Sequence, residues 1–268
     1  MTTLYAWANP LSFTGRLDHT WVTTYDIRQH PYASLQDVVA AGEDCWLCWG
    51  SFHPHGARPG DPDGYLLEAT GDLSLTQCLV KPNAYSQDDQ AAQGTIFEYG
   101  IDGVCHQLAN QTLYGANHQG VAPTVKDAQG YWLSSYLYGD YGRTHNAWRQ
   151  KQSGCGTSSF AAGPDAGGDM PDHFMDPAQR VLGDDTGTMR EIAEQREMQR
   201  AVVLDALSAR PTTAEEINQR NRESLIALQD RIGRDKFHAV FEYYAEEVPD
   251  LVDPETFAAS RGGAPDPA

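Results

Sequence analysis

Residues 99–114 read Tyr-Gly-Ile-Asp-Gly-Val-Cys-His-Gln-Leu-Ala-Asn-Gln-Thr-Leu-Tyr, and this stretch decides the fold expected of the chain. A glycine-bearing turn leads into Cys105. Apolar and small residues then recur at helical spacing: Leu108, Ala109, Thr112 and Leu113. The spacing predicts a helix over 105–114, with Cys105 at or just before its N-terminus.

A cysteine in that position favours nucleophilic chemistry. The N-terminal end of a helix carries unpaired N–H groups and partial positive charge. A thiolate there is stabilised, its pKa falls, and it becomes a usable nucleophile near neutral pH. The alternative is that Cys105 is a small hydrophobic residue filling space beside the turn.

A thiol nucleophile needs a base, and His19 is the upstream candidate. It begins the segment Asp18–Tyr25, whose β-branched and aromatic residues predict a strand. A strand packed beside the helix can present His19 to Cys105. His106 is adjacent to the cysteine, but neighbours on a helix point about 100° apart, which makes it a poor direct partner.

Further catalytic positions are assigned by residue type. His53, His55 and Asp18 all qualify to orient the base, and His53 is the named choice because adjacent strand residues such as Asp18 and His19 face opposite ways. Tyr99 can donate a hydrogen bond to an oxyanion, as can the N–H at the start of the helix.

The flanking segments predict an α+β fold. Two strands are expected within residues 4–28, and further strand-like aromatic runs lie at 44–50 and 131–139. A short helix is expected at 33–42. The expectation is an antiparallel sheet packed on the Cys-bearing 105–114 helix.

Composition divides the chain into four parts. Residues 1–152 form the predicted catalytic domain, and 153–187 form a Gly/Pro-rich linker. A helical extension spans 188–253, and a disordered tail is expected at 254–268. The predicted helices of the extension are 188–209, 214–232 and 235–248, each with an apolar stripe to bury on the catalytic domain or on a second copy of the chain.

Net charge limits the classes of binding partner, and the cysteine count indicates the redox compartment. The chain of 268 residues carries a formal net charge of −18, which repels phosphate backbones and anionic membrane surfaces. We therefore expect neither a nucleic-acid nor a membrane partner. We also expect no cofactor. Five cysteines cannot all pair, and no export signal or membrane span is evident, so we expect reduced thiols in the cytoplasm.

A zinc site is the alternative use of the thiols. Cys45 and Cys48 have the spacing of a zinc knuckle, and His53 and His55 follow closely. Against this hypothesis, the histidine spacing is unusual and no second Cys-x2-Cys pair is present. Two cysteines three apart on a strand also point to opposite faces.

The matched pieces Asp18-His19-Thr20-Trp21-Val22 and Gly103-Val104-Cys105-His106-Gln107 carry a family resemblance. Their order resembles the circularly permuted branch of the papain-like superfamily, with its NlpC-type peptidases and lecithin–retinol acyltransferase-like proteins. The pattern is also similar to a bacterial group that shares the Cys-Trp-Gly of residues 48–50. His106 and Gln107 depart from the aspartate-cysteine-serine context of NlpC-type enzymes.

The resemblance covers residues 4–145 and implies an antiparallel sheet on the cysteine helix, with acyl cleavage or transfer through a thioester. The substrate would then be a peptide-like amide or an ester. The competing functions are a catalytically inactive papain-like interaction domain and the zinc module.

Overall fold

The computed structural model describes residues 2–10, 17–47, 65–71, 73–84, 98–116, 123–143, 174–209 and 212–261. Within these ranges no helix has the length and apolar character needed to cross a membrane.

A four-stranded antiparallel sheet forms the N-terminal layer, as predicted. Its strands are β1 (Thr2–Pro10), β2 (Asp18–Thr23), β3 (Cys45–Trp46) and β4 (Tyr65–Gly71). Their order across the sheet is β3-β2-β1-β4. The central pair aligns Trp7 with Trp21 and Asn9 with His19, so the aromatic residues of β1 and β2 share a face.

The cysteine helix packs on the other face of this sheet. Helix α3 (Cys105–Ala116) follows α1 (Leu35–Ala40) and α2 (Leu73–Leu79), and it confirms the predicted helix at 105–114. Leu108 and Ala109 join one hydrophobic core with Ala6, Ala8 and Val22 of the sheet. The small alanines let the helix lie close to the strands.

The prediction of a strand at 131–139 is wrong. Helix α4 (Tyr131–Tyr138) occupies this segment, bounded by Gly130 and Gly139, which both adopt positive φ (80° and 79°). Its side chains are buried on almost every side, with only Trp132 partly exposed. A helix that is buried on nearly all sides lacks the alternation of apolar and polar faces that marks a surface helix. Its aromatic residues therefore favour a strand in the sequence, whereas tertiary packing makes the segment a helix.

The C-terminal half is helical, as predicted, with changed boundaries. Its helices are α5 (Met175–Leu182), α6 (Thr186–Ala209), α7 (Ala214–Ile232), α8 (Arg234–Phe241) and α9 (Pro254–Ser260), with a 3-10 turn at Ala245–Glu247. Thr213 and Glu216 form the capping box that begins α7.

Three expectations are corrected here. The predicted linker contains α5. The predicted helix at 235–248 ends at Phe241, where Glu242 takes a left-handed conformation. The predicted disordered tail contains α9, because Phe257 is buried in the common core.

The extension and the N-terminal half share this core, which is one of the two packing arrangements predicted. Tyr136 of α4 packs against Phe174 and Phe241, with ring centroids 5.3 and 5.6 Å away. Asn221 of α7 donates a 3.0 Å hydrogen bond to the Tyr138 hydroxyl. The C-terminal helices therefore pack against α4, and α4 packs against the cysteine helix.

Candidate active site

Cys105 is the first residue of α3 and its side chain is half-buried, whereas positions 106–113 are buried. Its Sγ lies 4.0 Å from the carbonyl oxygen of Asp18 at the start of β2. Cys105 therefore combines partial exposure with a position at the N-terminal end of a 12-residue helix.

The turn before Cys105 is held by its own polar groups. Gly100 adopts φ 79° and donates its N–H to the Gly103 carbonyl at 2.7 Å. The Val104 N–H donates to Gln107 Oε1 at 3.0 Å, which caps the helix from within its first turn. A Cβ on Gly103 would lie 2.6 Å from the Gln107 Cβ, so this position accepts only glycine without rearrangement.

His106 is buried and held at both ring nitrogens. Nε2 lies 3.1 Å from the Asp18 carbonyl oxygen, and Nδ1 lies 2.8 Å from Ser134 Oγ. A carbonyl oxygen only accepts, so Nε2 carries a proton here. Ser134 Oγ is also 2.8 Å from the Tyr131 carbonyl, and its one hydrogen goes to Tyr131 or to Nδ1. His106 is therefore fixed as a donor to Asp18.

The Asp18 carboxyl lies between the cysteine helix and the loop before α4. Gln129 donates its N–H to Asp18 Oδ2 at 2.7 Å, and the Asp18 N–H donates to the Gln129 carbonyl at 3.0 Å. Burial raises the pKa of this carboxyl, and Cys105 raises it further. The Gln129 hydrogen bond and the nearby His106 act in the opposite direction.

His19 lies on the opposite face of the sheet from α3. Its ring stacks on Trp21, with the centroids 5.8 Å apart and the planes at 18°. Trp21 belongs to a separate hydrophobic core, called the second core, that also contains Trp7 and Tyr25. Its Nε2 is buried without a hydrogen-bond partner among the described residues. The predicted pairing of His19 with Cys105 is corrected: strand alternation places Asp18, rather than its neighbour, on the side facing α3.

The other predicted site residues divide into two groups. The Tyr99 hydroxyl accepts a 3.2 Å hydrogen bond from the Asp253 N–H, so the group predicted to hold an oxyanion ties the turn to the segment before α9. His53 lies outside the described residues, as do His55 and Cys48.

The zinc alternative gains no support from the described residues. Cys45 is buried on β3 in the second core, and burial raises the pKa of its thiol well above the ordinary range. A zinc ligand must be a thiolate. Among the residues that the structure describes, no three His, Cys, Asp or Glu side chains are grouped to hold a metal ion.

A buried polar network behind the cysteine escaped the sequence analysis. Asn110 donates to the Tyr131 hydroxyl (3.0 Å) and to the Asp140 carbonyl (2.8 Å). Tyr131 and Ser135 both donate to Asp140 Oδ1, at 2.7 and 2.6 Å. Gln111 donates to the Tyr141 carbonyl at 2.7 Å. The sequence feature that indicates this network is the run of polar residues through the first two turns of α3. A buried helix with no purely apolar face needs polar partners.

The chain has no match among family models, curated proteins or solved structures. The function proposed below therefore rests on the residues around Cys105.

Proposed function

We propose that the protein is a cysteine-dependent hydrolase or acyltransferase that acts on a peptide-like amide or an ester through a thioester on Cys105. One observation carries the proposal: a partly exposed cysteine begins a buried helix, its Sγ 4.0 Å from the backbone carbonyl of Asp18, whose carboxyl is half-buried and whose carbonyl also meets a fixed imidazole. An ordinary space-filling cysteine has no need of either neighbour.

Asp18 replaces His19 as the acid–base group in this proposal. A thiolate and a carboxylate side by side repel, so the pair is most stable with one proton and one negative charge between them. The raised pKa of the Asp18 carboxyl suits it to accept the Sγ proton and return it later. His106 acts as a positioning residue that holds the Asp18 backbone.

The reaction proceeds in two stages. Asp18 takes the Sγ proton, the sulfur attacks the acyl carbon, and N–H groups at the start of α3 hold the oxyanion. The tetrahedral intermediate collapses with cleavage of the C–N or C–O bond, and the leaving group takes the proton from Asp18. Water or another acceptor then attacks the thioester carbon and gives its proton to Asp18; the C–S bond breaks, the acyl product leaves, and Asp18 returns the proton to the sulfur.

The second candidate is an inactive papain-like interaction domain. The observation that favours it is the placement of His19, which the permuted papain-like arrangement requires beside the nucleophile but which stacks here on Trp21. In that case Cys105 would be a structural thiol and the C-terminal helices would supply the partner surface.

Acyl trapping separates the two functions. The full chain is incubated with p-nitrophenyl acetate near pH 7 and the acetylated peptide is mapped by mass spectrometry. We expect acetylation of Cys105 in the wild type and in Cys45→Ser, and none at this position in Cys105→Ala. An unmodified Cys105 together with no release of p-nitrophenol above the Cys105→Ala background would contradict the enzyme proposal and support the interaction domain.

A further inference from the structure

Three arginines surround the C-terminal end of α4. Arg196 Nε donates to the Tyr136 carbonyl (2.9 Å) and its Nη2 to the Ser135 carbonyl (2.7 Å). Arg143 Nε donates to the Leu137 carbonyl at 3.2 Å. These hydrogen bonds go to carbonyl groups that have no partner within the helix, at its C-terminal end. Part of the arginine cluster therefore has a structural role.

Arg143 has a donor that this capping does not use. Its guanidinium lies 4.3 Å over the Tyr138 ring, and its Nη1 donates to the Ile101 carbonyl at 3.1 Å. Its Nη2 is buried and has no hydrogen-bond partner within the described residues. An unpaired N–H on a buried cation is unfavourable unless an acceptor meets it, and an anionic acceptor also balances the charge.

Arg200 adds a second, poorly balanced charge. Its Nη2 would lie 3.7 Å from a Cβ on Gly139, at the same helix end. Its ion pair with Glu197 is long at 3.5 Å, and the Glu197 side chain is 74% exposed. Burial lowers the pKa of Arg143; Tyr138 and Asp102 raise it, and Arg200 lowers it again. The two arginines therefore repel each other.

The carboxylates of Asp102 and Asp140 already accept other hydrogen bonds, although the charge of Asp102 still attracts Arg143. Asp102 Oδ2 accepts the Glu98 N–H at 2.7 Å. Asp140 Oδ1 accepts from Tyr131 and Ser135.

We infer that a small oxyanion, a carboxylate or phosphate group, binds between Arg143 Nη2 and Arg200 beside Gly139. Two guanidinium groups around one oxyanion match its oxygens and remove their mutual repulsion. Glycine at 139 keeps a side chain out of this space, and the Arg200 side chain is 19% exposed, which leaves a route from solvent. The site is independent of the thiol chemistry proposed for Cys105.

Ligand-dependent stability tests the site. The thermal unfolding midpoint of the full chain is measured in inorganic phosphate, in acetate and in chloride at equal ionic strength. The variants are Arg200→Gln and Arg222→Gln; Arg222 is the control, since it forms an exposed 2.6 Å ion pair with Asp250. We expect phosphate or acetate to raise the midpoint of the wild type and of Arg222→Gln, and not of Arg200→Gln.

The anion that gives the larger shift identifies the oxyanion class. Calorimetric titration with the same anion should give binding heat for the wild type and Arg222→Gln alone. An equal shift in all three proteins, or no shift with either anion, would overturn the inference.

Discussion

Replacing Ser134 with alanine tests whether His106 is held as described. The Ser134 hydroxyl lies 2.8 Å from His106 Nδ1 and accepts a 3.3 Å hydrogen bond from Gln107 Nε2. Gln107 Nε2 keeps its 3.0 Å bond to the Gly139 carbonyl in the variant. The loss therefore falls mainly on His106, whose Nδ1 is left buried without a partner.

The structure sets the size of the effect. Leaving one buried polar nitrogen unpaired costs about 1–3 kcal/mol, and removing a single oxygen leaves little cavity. We expect Ser134→Ala to lower the free energy of unfolding by about 2 kcal/mol. Urea unfolding followed by the fluorescence of buried Trp21 and Trp46 measures it. A loss below about 0.5 kcal/mol would refute the reasoning.

Ser135→Ala is the matched control. Ser135 is the next residue of α4, equally buried, and its hydroxyl donates to Asp140 rather than to the cysteine helix. A hydrogen bond to a charged group contributes about 1.5–3 kcal/mol, so both variants lose stability. Only Ser134→Ala should also change the alkylation rate of Cys105. Equal alkylation rates in both variants and the wild type would contradict a positioning role for His106.

Three further predictions concern the turn, the carboxyl and the C-terminal segment. Gly103→Ala should cost about 1–3 kcal/mol in urea unfolding, because the new Cβ meets Gln107 at 2.6 Å. The wild type should lose stability relative to Asp18→Asn as the pH rises from 3.8, the unfolded value, through the raised native pKa of the Asp18 carboxyl, because the native state holds this proton more tightly. The free energy of unfolding at several pH values measures the difference. Asn218→Ala removes the bonds to both backbone groups of Val252 (2.7 and 2.9 Å), and should cost about 2–4 kcal/mol and speed exchange of the Val252 amide.

Gly187→Ala is the control for Gly103→Ala, and Gln219→Ala is the control for Asn218→Ala. Gly187→Ala lies in α6 with its nearest neighbour atom 3.6 Å from the new Cβ, and should leave stability within about 1 kcal/mol. Gln219→Ala is exposed beside Asn218 and should leave Val252 exchange unchanged. A pH-independent difference between Asp18→Asn and the wild type would contradict the raised pKa.

Strand alternation predicted the faces of β2 but not which face carries the helix. His19 and Trp21 share a face, opposite to Asp18, as the alternation of strand residues requires. Both faces of the sheet are covered, however, and the pattern alone does not distinguish them. The distinguishing signal is side-chain size: the helix lies over small residues such as Ala6 and Ala8, whereas Trp7 and Trp21 share a core with α1.

Local spacing predicted α3, α6 and α7 because each combines helical periodicity with a defined start. It failed for α4, whose burial on nearly every side removes the periodic contrast between apolar and polar faces. Local spacing also did not predict which groups lie beside His106. Ser134 and Asp18 are distant in sequence, and only the packing of α4 and β2 against α3 brings them together.

The proposed chemistry requires Cys105 to be an activated thiol, and the alkylation rate of the native protein measures that activation. The full chain is treated with iodoacetamide at pH 6.5, where an ordinary thiol is only about 1% ionised, and modification is followed by peptide mapping. We expect Cys105 to react at least about tenfold faster than glutathione, while buried Cys45 stays unmodified until the protein unfolds. A rate for Cys105 equal to or below that of glutathione would contradict it.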